Sequence, residues 1–308
     1  MILTSAQVDR ARGVLLGTAA GDALGAPYEF QPARGPELDV AMVGGGRFRW
    51  SPGEWTDDTA MAIVIAQIAA TGADLRDPLA QEQILRRWQN WARSAPDVGV
   101  QTRAVLSAVN LRSTAEDAVY AARRLHETSG RSGGNGSLMR TAPVALAHLD
   151  DEDALADAAR QVGALTHFDP DAGDACVLWC LAIRHAVLTG ELDVRRGLPR
   201  LGPQAATWAG RLDAAERARP ADFTHNGWVV EALQGAWSAI TSTATLVDGL
   251  DAAVRSGNDT DTVAAIAGGL LGAVHGAGAV PADWCAVLHG WPGLDADDLV
   301  DLADAIVG

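Results

Sequence analysis

The chain reads as all-α: a single compact helical domain spanning residues 1–308. Three observations predict this. Alanine is prominent in an apolar fraction of 48%, and 33 glycines add to it; such small side chains let helices pack closely. Runs of helix formers recur between Gly, Pro, Asp and Ser punctuation along most of the chain. Alternating strand-like runs are nearly absent, with Asp39 to Trp50 the one segment left unassigned.

Ser5 to Leu24 is the first expected helix, with Ser5 as its N-cap. Thr59 to Ala70, Leu79 to Arg93, Thr102 to Asn110 and Ala115 to Glu127 follow. Met139 to Leu149, Asp153 to Leu165 and Asp171 to Leu188 come next. Trp228 to Thr241, Leu246 to Arg255 and Thr262 to Val274 are the last expected helices. Thr189 to Pro220, rich in Gly, Pro and Arg, is the loosest stretch and could be a linker. Acidic motifs lie on both sides of it, so a single domain closed by its last third fits better.

The net charge is −15, and every basic side chain is arginine. So acidic a chain does not favour the phosphate backbone of nucleic acid, and the expected partner is a modified protein or a small molecule. Cys176, Cys180 and Cys285 form no disulfide framework. Cys176 and Cys180 fall with Trp179, Ile183 and Val187 on a stripe that reads as core rather than metal site. The N-terminus shows no signal-peptide pattern and no run approaches an uninterrupted membrane span, so a cytoplasmic protein without membrane contact is expected.

Two acidic clusters open directly into helices. One is Trp55-Thr56-Asp57-Asp58-Thr59, the other Asn258-Asp259-Thr260-Asp261-Thr262. A single Asp or Thr caps a helix. Paired carboxylates with threonines exceed that need, and they repel unless a cation lies between them. Carboxylate and hydroxyl oxygens suit hard divalent cations. If the two helix starts meet, they form an oxygen-rich pocket for one or two metals.

Four other segments carry chemistry. Gly17, Gly21 and Gly25 are spaced four apart, a small-residue face for close packing, and Glu29 follows just after Pro27. Ser132-Gly133-Gly134-Asn135-Gly136-Ser137-Leu138 is a glycine-rich loop whose backbone N–H groups could receive an anion, although an ordinary turn explains it equally well. It has neither the Lys-Ser/Thr of a P-loop nor the GxGxxG spacing. His167, after Thr166, reads in isolation as a cap or surface residue, and Asp97 before Val98-Gly99 reads as another cap.

Taken in order, these segments resemble the ADP-ribosylglycohydrolase family. The matches are GxxxGDxxGxxYE at Gly17 to Glu29, WTDDT at Trp55 to Thr59 and PDxG at Pro96 to Gly99. GNGSLMR at Gly134 to Arg140, the Thr166-His167 step and GNDTDT at Gly257 to Thr262 complete the set. The resemblance implies a compact all-α domain holding two divalent cations, Mg²⁺ or Mn²⁺. It implies Thr56, Asp57, Asp58, Asp259, Asp261 and Thr262 as metal ligands, and Glu29 and Asp97 as catalytic residues: Glu29 beside the metals as ligand, gate or acid/base, Asp97 next to the reacting ribose. Ser132, Gly133, Gly134, Asn135, Gly136, Ser137 and Leu138 would hold the diphosphate. His167 and Trp228 would line the ADP-ribose cleft, Trp228 standing where bacterial relatives often carry tyrosine.

The implied reaction is hydrolysis of the N- or O-glycosidic bond between the distal ribose and a protein side chain. The substrate would be an ADP-ribosylated protein or conjugate, and ADP-ribose the product. The alternative is a non-catalytic ADP-ribose-binding or structural member of the same family. Asp259-Thr260-Asp261 also resembles the DxD motif of haloacid dehalogenase phosphatases. That motif should follow a buried strand, whereas Ala252 to Gly257 reads as a helix end.

Overall fold

The computed structural model describes residues 1–308, and its architecture is helical throughout, apart from one two-residue hairpin. The helices are α1 (Ser5–Gly25), α2 (Asp57–Ala69), α3 (Pro78–Trp91), α4 (Val100–Ala108) and α5 (Ala115–Ser129). Then come α6 (Ala142–Ala147), α7 (Glu152–Ala164), α8 (Pro170–Thr189), α9 (Ala205–Arg217) and α10 (Val229–Thr241). The chain ends with α11 (Leu246–Val254), α12 (Thr260–His275), α13 (Ala282–Cys285) and α14 (Ala296–Val307). Strands β1 (His289–Gly290) and β2 (Leu294–Asp295) pair antiparallel before α14.

The centre of the fold is α1 packed against α12. The glycine face expected from the sequence makes that contact. A Cβ on Gly17 would strike the Gly268 carbonyl, and one on Gly21 would strike the Ala264 carbonyl. Small residues on both helices therefore set a backbone-to-backbone approach that larger side chains would forbid. One continuous core runs from Ala11 to Ala303 around this pair, with no break at Thr189 to Pro220.

Buried indole N–H groups pin the surrounding helices. Trp88 on α3 donates to the Met61 carbonyl of α2 at 3.1 Å, and Trp179 on α8 donates to the Ile266 carbonyl of α12 at 2.9 Å. Cys176 and Cys180 are buried in that core, as their stripe predicts.

Four expectations need correction. Thr4, not Ser5, caps α1, because it pairs reciprocally with Gln7 in a capping box. Met139 to Thr141 is not helical, and Pro143 opens only the short α6. Thr189 to Pro220 belongs to the single domain, as expected: a kinked 3₁₀ stretch (Val194–Gln204) packs on α8, and α9 packs on that stretch and on α10 with Trp208 fully buried. Beyond Val274, the sequence pattern missed α14, which packs on α1 through a bidentate Arg12–Asp304 pair with both distances 2.7 Å. Lastly, α8 is long and apolar enough to cross a membrane by length and composition, yet 72% of its apolar window is buried inside the protein. It is the core helix beside α12.

Candidate active site and metal centre

The two acidic helix starts meet. Because α1 and α12 lie side by side and run antiparallel, the N-terminus of α12 meets the C-terminal end of α1 at Gly25, and α2 enters from the third direction. Neither start uses its oxygen-bearing side chain as a cap: Thr56 precedes α2 and Asp259 precedes α12, and neither makes a side-chain cap hydrogen bond. Thr56 Oγ1 donates instead to Asp58 Oδ2 at 3.1 Å.

The cap of α2 comes from elsewhere. Asp22, fully buried on α1, accepts the Thr56 N–H at 2.9 Å, the Thr59 N–H at 2.9 Å and the Thr59 hydroxyl at 2.6 Å. Sequence reading passed over Asp22, although it stands inside the glycine motif. An acid embedded in an otherwise small, apolar helix face was the signal.

Asp22, Asp58 and Asp261 each place a carboxylate oxygen within 4.8 Å of the others, and Glu29, Asp259 and Asp261 do the same. Two acid triads thus share Asp261. One Asp58 oxygen and one Glu29 oxygen are buried with no hydrogen-bond partner. Unpartnered buried carboxylate oxygens are costly unless a cation satisfies them. The donor set fits one or two hard divalent ions.

Burial, then mutual repulsion, drives these acids toward their protonated forms. Burial outweighs the hydrogen bonds to Thr59 and Thr56 and raises Asp22 to about 6. Burial and the charges of Asp97, Asp22 and Asp259 raise Asp57 to about 8. Burial and the charges of Asp259, Asp97 and Asp57 raise Glu29 to about 9. Asp58 and Asp261 are pushed well above the carboxylate range for the same reasons. Burial also raises Asp259, against its hydrogen bond from Asn135.

Local backbone geometry delivers each group. Gly257 is left-handed at φ 76°, and a Cβ there would strike the backbone N of Ala33. Phe30 N–H donates to the Asn258 carbonyl at 2.6 Å, and Asn258 N–H to the Gln31 carbonyl at 2.7 Å. This short zipper holds Glu29 over Asp259 and Asp261. Asn226 braces the other side: its Oδ1 accepts the Asp259 N–H at 3.1 Å, while Asn135 Nδ2 donates to Asp259 Oδ2 at 2.8 Å.

A cleft of ≈ 510 Å³ opens above the acids. Glu29, Asp57, Asp97, Asp259, Asp261, Thr262 and His167 line it. Thr56 and Asp58 lie beneath it, buried. Asp97 is raised by burial and by Asp259, and is drawn back down by Arg103 and Arg47.

Of the glycine-rich loop, Gly134, Asn135 and Gly136 face the cleft, whereas Ser132, Gly133, Ser137 and Leu138 are not part of its lining. Ser132 pairs with His126, and Ser137 is buried. His167 is buried rather than a surface cap, its ring packed against Gly134 and Gly136. Trp228 is not in the lining either. It sits 41% exposed at the rim, where its backbone bridges Gly134.

An all-α body whose two acidic helix starts converge beneath a cleft offers a hydrolytic metal centre, and comparison with known proteins assigns its class. The family model for ADP-ribosylglycohydrolase matches residues 3–308, and the chain belongs to that family, hydrolases of ADP-ribosyl glycosyl bonds. It is 29% identical to the ADP-ribosylarginine hydrolase Tri1 of Serratia proteamaculans over 92% of this chain and 76% of that one. It is 31% identical to the ADP-ribosyl-[dinitrogen reductase] glycohydrolase of Rhodospirillum rubrum over 91% and 90%. A solved ADP-ribosylglycohydrolase-related protein complex superposes with a TM-score of 0.75 at 29% identity, covering 99% of each chain. The chain preceding Asp259 is helix α11, not a strand, so the phosphatase-like reading of Asp259-Thr260-Asp261 lacks its framework.

Proposed function

We propose that this protein is a metal-dependent hydrolase that removes ADP-ribose from modified protein side chains. The observation that carries the reading is the pair of acid triads sharing Asp261 beneath the cleft. Thr56, Asp57, Asp58, Asp259, Asp261 and Thr262, joined by Asp22, would hold two divalent cations, Mg²⁺ or Mn²⁺. When bound, such ions supply positive charge that orients ribose hydroxyls and an attacking water.

The chain's own residues do the rest. The glycosidic bond breaks through an oxocarbenium-like state that needs an acid on the leaving group and a base on the water. Glu29, beside Asp259 and Asp261 at the cleft, would pass a proton to the leaving atom. Asp97, partly offset by Arg103 and Arg47, would take the proton of the water. Gly134, Asn135, Gly136 and His167 would hold the diphosphate and ribose, and the Trp228 ring would shield the rim.

The complete acid set supports turnover over ADP-ribose binding alone. The Serratia relative's name supports arginine-linked ADP-ribose as the substrate to try first. Glu29→Gln and Asp97→Asn test the roles. Both should lower kcat for ADP-ribose release by about 100-fold or more, the usual range of acid–base catalysis. Wild-type turnover in either variant would remove that residue from the mechanism.

A further inference from the structure

Arg140 is an oddity that the site as described leaves unused. It is fully buried, carries no carboxylate partner among its hydrogen bonds and ion pairs, and stacks 4.0 Å above the Trp88 ring. A buried guanidinium without a counter-charge is expensive. Its Nη2 donates to Thr166 Oγ1 at 2.7 Å, and Thr166 Oγ1 lies 2.7 Å from His167 Nδ1.

The direction of that chain is fixed by its first member. A guanidinium can only donate, so Thr166 Oγ1 accepts from Arg140. The Thr166 hydroxyl proton then has one acceptor within reach, His167 Nδ1. A nitrogen that accepts carries no proton, which places the single proton of the neutral ring on Nε2. Nε2 makes no hydrogen bond to the protein, and the ring lines the cleft beside Gly134 and Gly136. Burial and the Arg140 charge disfavour the doubly protonated ring, since both oppose a second positive charge there. The backbone is held as well: Gln101 Nε2 donates to the Thr166 carbonyl at 3.1 Å.

We propose that Arg140 and Thr166 are positioning residues that lock His167 in the Nε2–H tautomer, so that the cleft presents a fixed hydrogen-bond donor to an oxygen acceptor of its ligand. The charge on Arg140 is what makes the lock one-directional. With a neutral hydroxyl alone, Thr166 could donate or accept and both tautomers would coexist.

The part of this that concerns a ligand rests on the ADP-ribose reading above, whereas the tautomer does not. The test is therefore made first without substrate. In the Mg²⁺-loaded full chain labelled at histidine nitrogens, His167→Gln identifies the resonances of His167 among the seven histidines. Wild type and Thr166→Ser should show a bare Nδ1 and a protonated Nε2. Thr166→Val, which keeps the shape and removes the hydroxyl, should show Nδ1–H appearing. It should also bind ADP-ribose about tenfold more weakly, the loss expected for one well-directed hydrogen bond. A protonated Nδ1 in wild type overturns the proposal even if the valine variant does not fold. An unchanged ring in Thr166→Val overturns it too. Undiminished ADP-ribose binding by Thr166→Val overturns the donor role while leaving the hydrolase reading untouched.

Discussion

Asp22 Oδ2 accepts both the backbone N–H of Thr59, at 2.9 Å, and its hydroxyl, at 2.6 Å. One carboxylate of α1 therefore caps α2 from outside, freeing Thr56, Asp57 and Asp58 from that duty. Asp22→Ala should lower stability to urea by about 2 kcal/mol, the cost of a lost cap with buried donors left open. Asp22→Asn retains an acceptor and should lose less stability, but it should weaken Mg²⁺ binding. An Asp22→Ala protein that unfolds at the wild-type midpoint would contradict this arrangement.

Stability of the metal-free protein should fall as pH rises. Asp22, Asp57 and Glu29 are raised to about 6, about 8 and about 9 respectively. All three lie above the roughly 4 of an unfolded carboxyl. The folded state then holds more protons through that window, so the stabilisation is fully present below about pH 4 and lost as pH climbs through about 6 to 9. Thermal melts in chelator across this range should show the decline, and saturating Mg²⁺ should flatten it. A pH-independent melting temperature in chelator would mean that these acids do not repel one another.

Gly21→Ala should damage the close contact between α1 and α12. Its new Cβ would meet the Ala264 backbone, forcing α1 and α12 apart at a cost of about 1–3 kcal/mol. Because the same approach brings Asp261 to Asp22, activity should fall further than stability alone explains. Chemical denaturation and ADP-ribose release, measured on one preparation, would separate the two effects.

The helical class and the site were legible to different degrees, for physical reasons. The glycine spacing of Gly17, Gly21 and Gly25 announced a close helix contact, and the paired acids of Thr56 to Asp58 and Asp259 to Thr262 announced a charge problem needing a cation. Both patterns are local and chemical. Asp22 was missed because its function depends on which helix start lies opposite it, a tertiary fact. His167 looked like a surface cap for the same reason: its burial is set by α8 and the glycine loop, not by its neighbours in sequence. The segment Thr189 to Pro220 looked loose because Pro199, Pro203 and Gly202 do interrupt a helix, yet the 3₁₀ turns between them still bury Leu201.

Asn226→Ala should disturb the site without touching a carboxylate. Asn226 Nδ2 donates to the Gly257 carbonyl at 2.9 Å while its Oδ1 receives the Asp259 N–H. Removing the amide orphans both partners, at about 1–3 kcal/mol each. It also loosens Asp259, so the variant should need more Mg²⁺ or Mn²⁺ for half-maximal activity. An unchanged metal requirement would show that Asp259 is held by Asn135 alone.

Whether the convergent acids make a metal-dependent ADP-ribosyl hydrolase is read from the release of free ADP-ribose. Arginine-linked and serine-linked substrates would be compared with Mg²⁺, with Mn²⁺ and with excess chelator, for wild type and Asp261→Asn. Release should be abolished by chelator, restored by either cation, and lost in Asp261→Asn even at high cation. Release that persists in chelator, or at the wild-type rate in Asp261→Asn, would contradict that role of the acids.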